Sequence, residues 1–147
     1  MSVPRNKVDE EEVEQLFRAK KIVPEEIAWD PPPRLNASRK FEVKAYLENQ
    51  TPLVFSGVLN ESGRYSLSLR YKKKIVIRRW DTYRRHTNPD GTWVHGVPHK
   101  HRCIGEDDDP AYAFEVNDVA VNDVNKAVQD FAKECNVELL QPYQDII

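Results

Sequence analysis

All four histidines of this chain, His86, His95, His99 and His101, fall within sixteen residues. Around them stand Arg78, Arg79, Arg84, Arg85, Lys100 and Arg102, and the same stretch holds Asp81. Imidazole is the side chain whose ordinary pKa lies nearest neutrality, so one histidine can hold a proton while another accepts one. Beside cations, such a pair suits metal-independent cleavage of RNA. One neutral histidine removes the proton of a 2′-hydroxyl, and a second, as imidazolium, protonates the leaving oxygen. Arg or Lys steadies the charge that builds on the phosphorane. Each proton transfer contributes roughly 10²–10⁴-fold, and cationic stabilisation of the transition state adds to it. In this scheme His99 and His101 are the acid/base pair, His86 is a third member, and Asp81 orients a histidine. Arg79, Arg84, Arg85, Lys100 and Arg102 hold phosphate.

Other chemistries use the same residues. His99 and His101, two apart on a strand, with His86 or His95 and a carboxylate from Asp81, form a sensible transition-metal set and would make the protein a metal-binding hydrolase. The surrounding positive charge opposes a divalent ion, so the expectation is no metal and no other cofactor. The histidines and arginines also suit plain contacts to phosphates without any reaction. A loop whose imidazoles merely cap backbone groups is the bland alternative. Tyr83 and Trp93, set in the expected loop, are candidates for stacking on unpaired bases. Tyr65, Tyr71 and Trp80 belong to strands, where rings are usually half-buried. The acidic run Glu106 to Asp109 is expected to be a solvated loop facing the basic surface.

The elements that must position these groups follow from periodicity. Asn88-Pro89-Asp90-Gly91 is a strong turn signal, so the chain reverses after His86 and brings it back towards His99 and His101. If Val97 to Ile104 is extended, His99 and His101 share one face while Lys100 and Arg102 take the other. Upstream, Phe41, Val43, Ala45 and Leu47 alternate with polar neighbours, as do Tyr65, Leu67, Leu69 and Tyr71. Leu53–Leu59 and Ile75–Trp80 complete four strands. Short connections such as Asn60-Glu61-Ser62-Gly63 imply an antiparallel meander. A further strand is expected over Tyr112–Val116.

Two helices are expected before this sheet. The first runs from Asp9 to Lys20, with Val13, Leu16 and Phe17 on one face. The second starts at Pro24, a favoured first-turn residue, and ends near Trp29, before Pro31-Pro32-Pro33 stops it. After the sheet, Val121, Val124, Val128, Phe131 and Cys135 form the apolar stripe of a last helix, stopped near Asn136. The fold class is therefore α+β: N-terminal helices, an antiparallel meander of four to six strands, and one amphipathic helix packed on the sheet. The chain of 147 residues is about one domain long. Residues 1–39 read as a helical arm with a proline-rich connector, packed on the sheet or on a partner. Residues 40–147 read as the core that carries the histidines.

At Arg79-Trp80-Asp81, then His86, then Pro98-His99-Lys100-His101, the sequence resembles the TumE family of toxins from prokaryotic toxin–antitoxin systems. Those proteins carry an Arg-aromatic-Asp element at a strand end, histidines in the following loop, and a Pro-His-(His)-Lys-His motif. Here His86 stands alone where the family pairs its loop histidines, and the last motif has one histidine fewer. The resemblance implies a toxin held in check by a partner antitoxin.

The charge distribution points to an anionic partner. The net charge is −2, yet Arg64 to Arg102 holds eleven Lys and Arg against two acids. The remainder holds eleven basic residues against twenty-two acidic ones. A split this sharp suggests a basic surface for RNA or another polyanion. No apolar run approaches the roughly 20 residues that span a bilayer, and the acidic N-terminus is unlike a signal peptide. Two distant cysteines, Cys103 and Cys135, suit free thiols in a reducing cytoplasm, with a single disulfide left open. The leading expectation is a cytoplasmic, toxin-like ribonuclease. Its rival is a non-catalytic module or inhibitor that docks nucleic acid or an acidic protein surface.

Overall fold

The computed structural model describes residues 10–72, 75–82, 86–87, 92–94, 98–102, 112–116 and 123–146. Helix α1 is Glu10–Arg18, followed by strand β1, Lys21–Val23. Strands β2 (Arg39–Tyr46), β3 (Pro52–Leu59), β4 (Tyr65–Tyr71) and β5 (Ile75–Asp81) come next. Then come β6 (His86–Thr87), β7 (Trp93–Val94), β8 (His99–Arg102) and β9 (Tyr112–Glu115). Helix α2 (Val124–Glu134) and strand β10 (Val137–Leu139) close the chain.

Eight strands form one sheet in the order β10-β1-β2-β3-β4-β5-β8-β9, and β6 and β7 pair separately. Strands β2 to β5 are the expected meander, and β8 and β9 extend it with antiparallel pairing. The parallel pair of β1 with β10, the one such pair among the described residues, was not legible in the sequence. The fold is α+β, as the period changes imply.

Alternation along the strands builds the core. Phe41, Val43 and Ala45, then Leu53 and Phe55, then Tyr65, Leu67 and Leu69 are all buried on one face. Helix α2 lies on that face through Val124, Ala127, Val128, Phe131 and Ala132. The Phe131 ring sits 5.6 Å from Phe55 and 5.2 Å from Trp80. Asp123 caps α2 by accepting from the Lys126 amide at 3.0 Å. Asn136, at φ 56°, stops it in the left-handed conformation that asparagine tolerates.

The second N-terminal helix does not form. Residues 24–30 are irregular and run beside the C-terminal segment: the Leu140 amide donates to the Val23 carbonyl and the Gln144 amide to the Ile27 carbonyl. Trp29 Nε1 donates to the Tyr143 hydroxyl at 2.8 Å, and that hydroxyl donates to Asn125 Oδ1 at 2.8 Å. These tertiary bonds hold the segment open against the helical start signal at Pro24. The N-terminal residues pack on the sheet: Val13, Val23 and Ile27 are buried, and β1 lies inside the sheet. No helix among the described residues is long and apolar enough to cross a membrane.

One irregularity sets the site. Leu69 pairs with Arg78 while Arg70 pairs with Val76, so Ile77 is an extra residue on β5. Such a bulge shifts the alternation by one. Beyond it, Arg78 and Trp80 face α2, and Arg79 and Asp81 take the opposite face.

Candidate functional site

On the helix side the bulge sends three donors to one carboxylate. Glu134 accepts from Lys100 Nζ at 2.6 Å, Trp80 Nε1 at 2.6 Å and Arg78 Nε at 3.1 Å. The Lys100 ammonium also lies 4.7 Å from the centre of the Trp80 ring, and the Arg78 guanidinium 5.0 Å from that of Phe17. Burial alone pushes the Glu134 carboxyl up. The hydrogen bonds from Lys100 and Trp80 and the charges of Arg78 and Lys100 outweigh that burial and hold it below the usual carboxylate range.

This placement corrects one expectation. Lys100, read as a phosphate contact, is buried between sheet and helix with its ammonium committed to Glu134. It joins the two layers instead.

The opposite face is polar and closed. Arg79 Nη2 donates to Asp81 Oδ2 at 2.7 Å, with side-chain exposures of 13% and 0%. Arg79 Nε is buried and has no hydrogen-bond partner. Beside this pair on β4 stand Ser66 and Ser68, both buried, and the Ser68 hydroxyl meets that of Ser56 on β3 at 3.0 Å. Thr82 closes the end of β5: its hydroxyl donates to the Tyr65 carbonyl and accepts from the Tyr65 amide. The face thus carries a buried Arg–Asp pair and hydroxyls bonded to one another, with one guanidinium N–H left over.

Strand β8 completes this layer. In the β5–β8 ladder Asp81 stands opposite His99, Arg79 opposite His101, Trp80 opposite Lys100 and Arg78 opposite Arg102. On its other side, in the β8–β9 ladder, His99 stands opposite Glu115 and His101 opposite Ala113. The residues singled out at the two ends of the basic segment, Arg79-Trp80-Asp81 and His99-Lys100-His101, are thus direct neighbours across two strands.

His86 is placed elsewhere. It pairs with Val94 in the small β6–β7 sheet, which lies against β9 and outside the β5–β8 ladder. The chain reverses between His86 and Val94, with Trp93 opposite Thr87, and the Asn88-Pro89-Asp90-Gly91 turn itself lies outside the described residues. Tyr83, Arg84, Arg85, His95, Cys103 and the acidic run 106–109 lie outside the described residues. Cys135 is a free, buried thiol. No group of three metal-ligating side chains occurs among the described residues.

Ser56, Ser66, Ser68, Glu115 and Glu134 were missed by the sequence reading. The alternation Arg64, Ser66, Ser68, Arg70 marks a polar strand face, and was the one available signal. Glu115 and Glu134 enter only through pairing partners distant in sequence.

No curated protein and no solved structure matches the chain. A family model does match, over residues 8–137. On that match the chain belongs to DUF6978, a family of unknown function.

Proposed function

We propose that the protein is a metal-independent ribonuclease whose general acid and base are His99 and His101. The carrying observation is the β5–β8 ladder, which sets Asp81 opposite His99 and Arg79 opposite His101. Directly opposed residues in an antiparallel pair have Cβ atoms about 4.5–5.5 Å apart. A carboxylate at that range can orient an imidazole, and a guanidinium at that range can hold the phosphate being cleaved. Arg79 is the phosphate contact in this scheme, with Arg84 and Arg85, outside the described residues, as candidates for the flanking phosphates; Arg102, opposite Arg78 on the helix-facing side, does not belong with them. Lys100 leaves the set. The strongly basic segment supports RNA as the anionic partner. The motif-level resemblance to TumE toxins supports a cytoplasmic toxin that an antitoxin protein would restrain.

The test is incubation of the purified protein with single- and double-stranded RNA in EDTA. Wild type is expected to cleave, and His99→Ala and His101→Ala each to lose roughly 10²–10⁴-fold in rate. Failure of the wild type to cleave in EDTA, and again with Zn²⁺, Mn²⁺ or Mg²⁺ added, would sink the ribonuclease. Salt-dependent RNA binding without any product would then mark a binding module.

A further inference from the structure

The two histidine positions differ in what stands beside them, and the difference bears on which one donates the proton. Position 99 lies in a cross-strand row that reads Val58, Ser66, Asp81, His99, Glu115. Position 101 lies in the next row, which reads Ser56, Ser68, Arg79, His101, Ala113. A carboxylate therefore flanks position 99 from each neighbouring strand. Position 101 has a guanidinium on one side and an uncharged methyl on the other.

We infer that His99 is the general acid and His101 the general base, with Glu115 a positioning residue that keeps His99 protonated. The assignment rests on the ribonuclease proposal above. A nearby carboxylate favours imidazolium, and a nearby cation favours neutral imidazole. Arg79 is bound to Asp81, so part of the Asp81 charge is already answered. Glu115, exposed at the neighbouring strand, is the second carboxylate at position 99. The remaining charges bear less on the contrast. Arg79 is only diagonal to position 99, and Asp81 and Glu115 only diagonal to position 101, at about 7–8 Å. Lys100, between the two histidines on β8, is turned to Glu134 on the helix side, and Arg102 stands opposite Arg78.

The two states fit the reaction. Neutral His101, beside the guanidinium that binds phosphate, takes the 2′-hydroxyl proton as the new P–O bond forms. Protonated His99 gives its proton to the 5′-oxygen as the old P–O bond breaks. The proton count closes, with the two histidines left in exchanged states.

The test is a histidine NMR titration of the full chain in EDTA, with resonances assigned by single His→Gln variants. His99 is expected to titrate at least about one unit above His101. Glu115→Gln should lower His99 and leave His101 in place, while Ala113→Glu, which sets a carboxylate opposite position 101, should raise His101. In the kcat/KM profile for RNA, Glu115→Gln should move the alkaline limb to lower pH and leave the acid limb unmoved. His101 titrating at or above His99, or a His99 indifferent to Glu115→Gln, would overturn the assignment even if RNA is cleaved. The expected titration order in a protein that cleaves no RNA would instead remove the ribonuclease, and the catalytic roles with it.

Discussion

Glu134 decides which cations of the basic stretch are spent inside the protein. It gathers Arg78, Trp80 and Lys100 on the helix side and leaves Arg79 on the other. Its carboxyl titrates lower in the fold than in the unfolded chain. It therefore stabilises the fold above the ordinary carboxylate range, and that contribution fades as pH falls through the folded value. Glu134→Gln is expected to cost on the order of 2 kcal/mol near neutral pH, the scale of hydrogen bonds to a charged group. Urea midpoints of variant and wild type should converge as pH falls below about 4. A gap that persists undiminished into strong acid would show that the loss comes from packing rather than charge.

At the scale of elements, the contact between β3 and the segment before β2 is set by one missing side chain. A methyl at Gly57 would stand 2.9 Å from Trp29 Cη2 and 3.0 Å from Leu67 Cδ2, and closer still to the Phe41 ring. Trp29 meets Phe41 edge-on with centroids 4.7 Å apart, and its indole N–H is held by Tyr143. The neighbours are rings and a core leucine with little room to yield. Gly57→Ala should therefore cost about 1–3 kcal/mol, as overpacked cores do. Chemical denaturation reads this directly, and a loss within experimental error would mean that Trp29 shifts freely. The same indole bond explains why residues 24–30 form no helix: Trp29 is anchored to the C-terminal segment, and a helix there would pull it away.

For the molecule as a whole, Lys21 is the pin between its two helices. It is fully buried, and its ammonium donates to the carbonyls of Phe17, Ala19 and Cys135 at 2.9, 2.6 and 2.6 Å. The first two lie at the end of α1 and the third just past α2, where helices present unpaired carbonyls. Burial pushes Lys21 down to about 8, with the Cys135 thiol pulling weakly the other way. Between that value and about 10.4, the native chain has released a proton that the unfolded chain still holds. Stability from this group therefore rises with pH across the window. Burial moves the Cys135 thiol and the Tyr65 and Tyr143 hydroxyls upward, so the unfolded chain ionises first and stability falls above their ordinary values. Among these four groups the thiol and Lys21 roughly offset each other between about pH 9 and 10, and the two hydroxyls turn the balance to a net loss of stability above about pH 10. Lys21→Met should bring the loss to lower pH, read as a urea midpoint that falls from pH 8 to pH 10 where that of wild type stays nearly level. An identical slope in the variant would mean that Lys21 keeps its proton throughout.

Period and punctuation were enough for the meander, the terminal amphipathic helix and the α+β class, because alternation and the 3.6-residue stripe are local consequences of burying one face. They also marked one basic, histidine-rich segment, but with His86, Lys100 and Arg102 in the same group as Arg79, Asp81, His99 and His101. The parallel β1–β10 pair and the open segment 24–30 depend on bonds between residues more than one hundred positions apart, and local propensity carries no trace of them. The extra residue at Ile77 matters most for the site. Strict alternation would have put Arg79 and Asp81 on the face of Ile75 and Ile77, under the helices. The register against β4 inserts a bulge there and turns them to the other face, opposite the two histidines, while Lys100 goes to Glu134. Which cations share the face of the two histidine positions and which turn to Glu134 is therefore a property of strand register, and only the assembled sheet decides it.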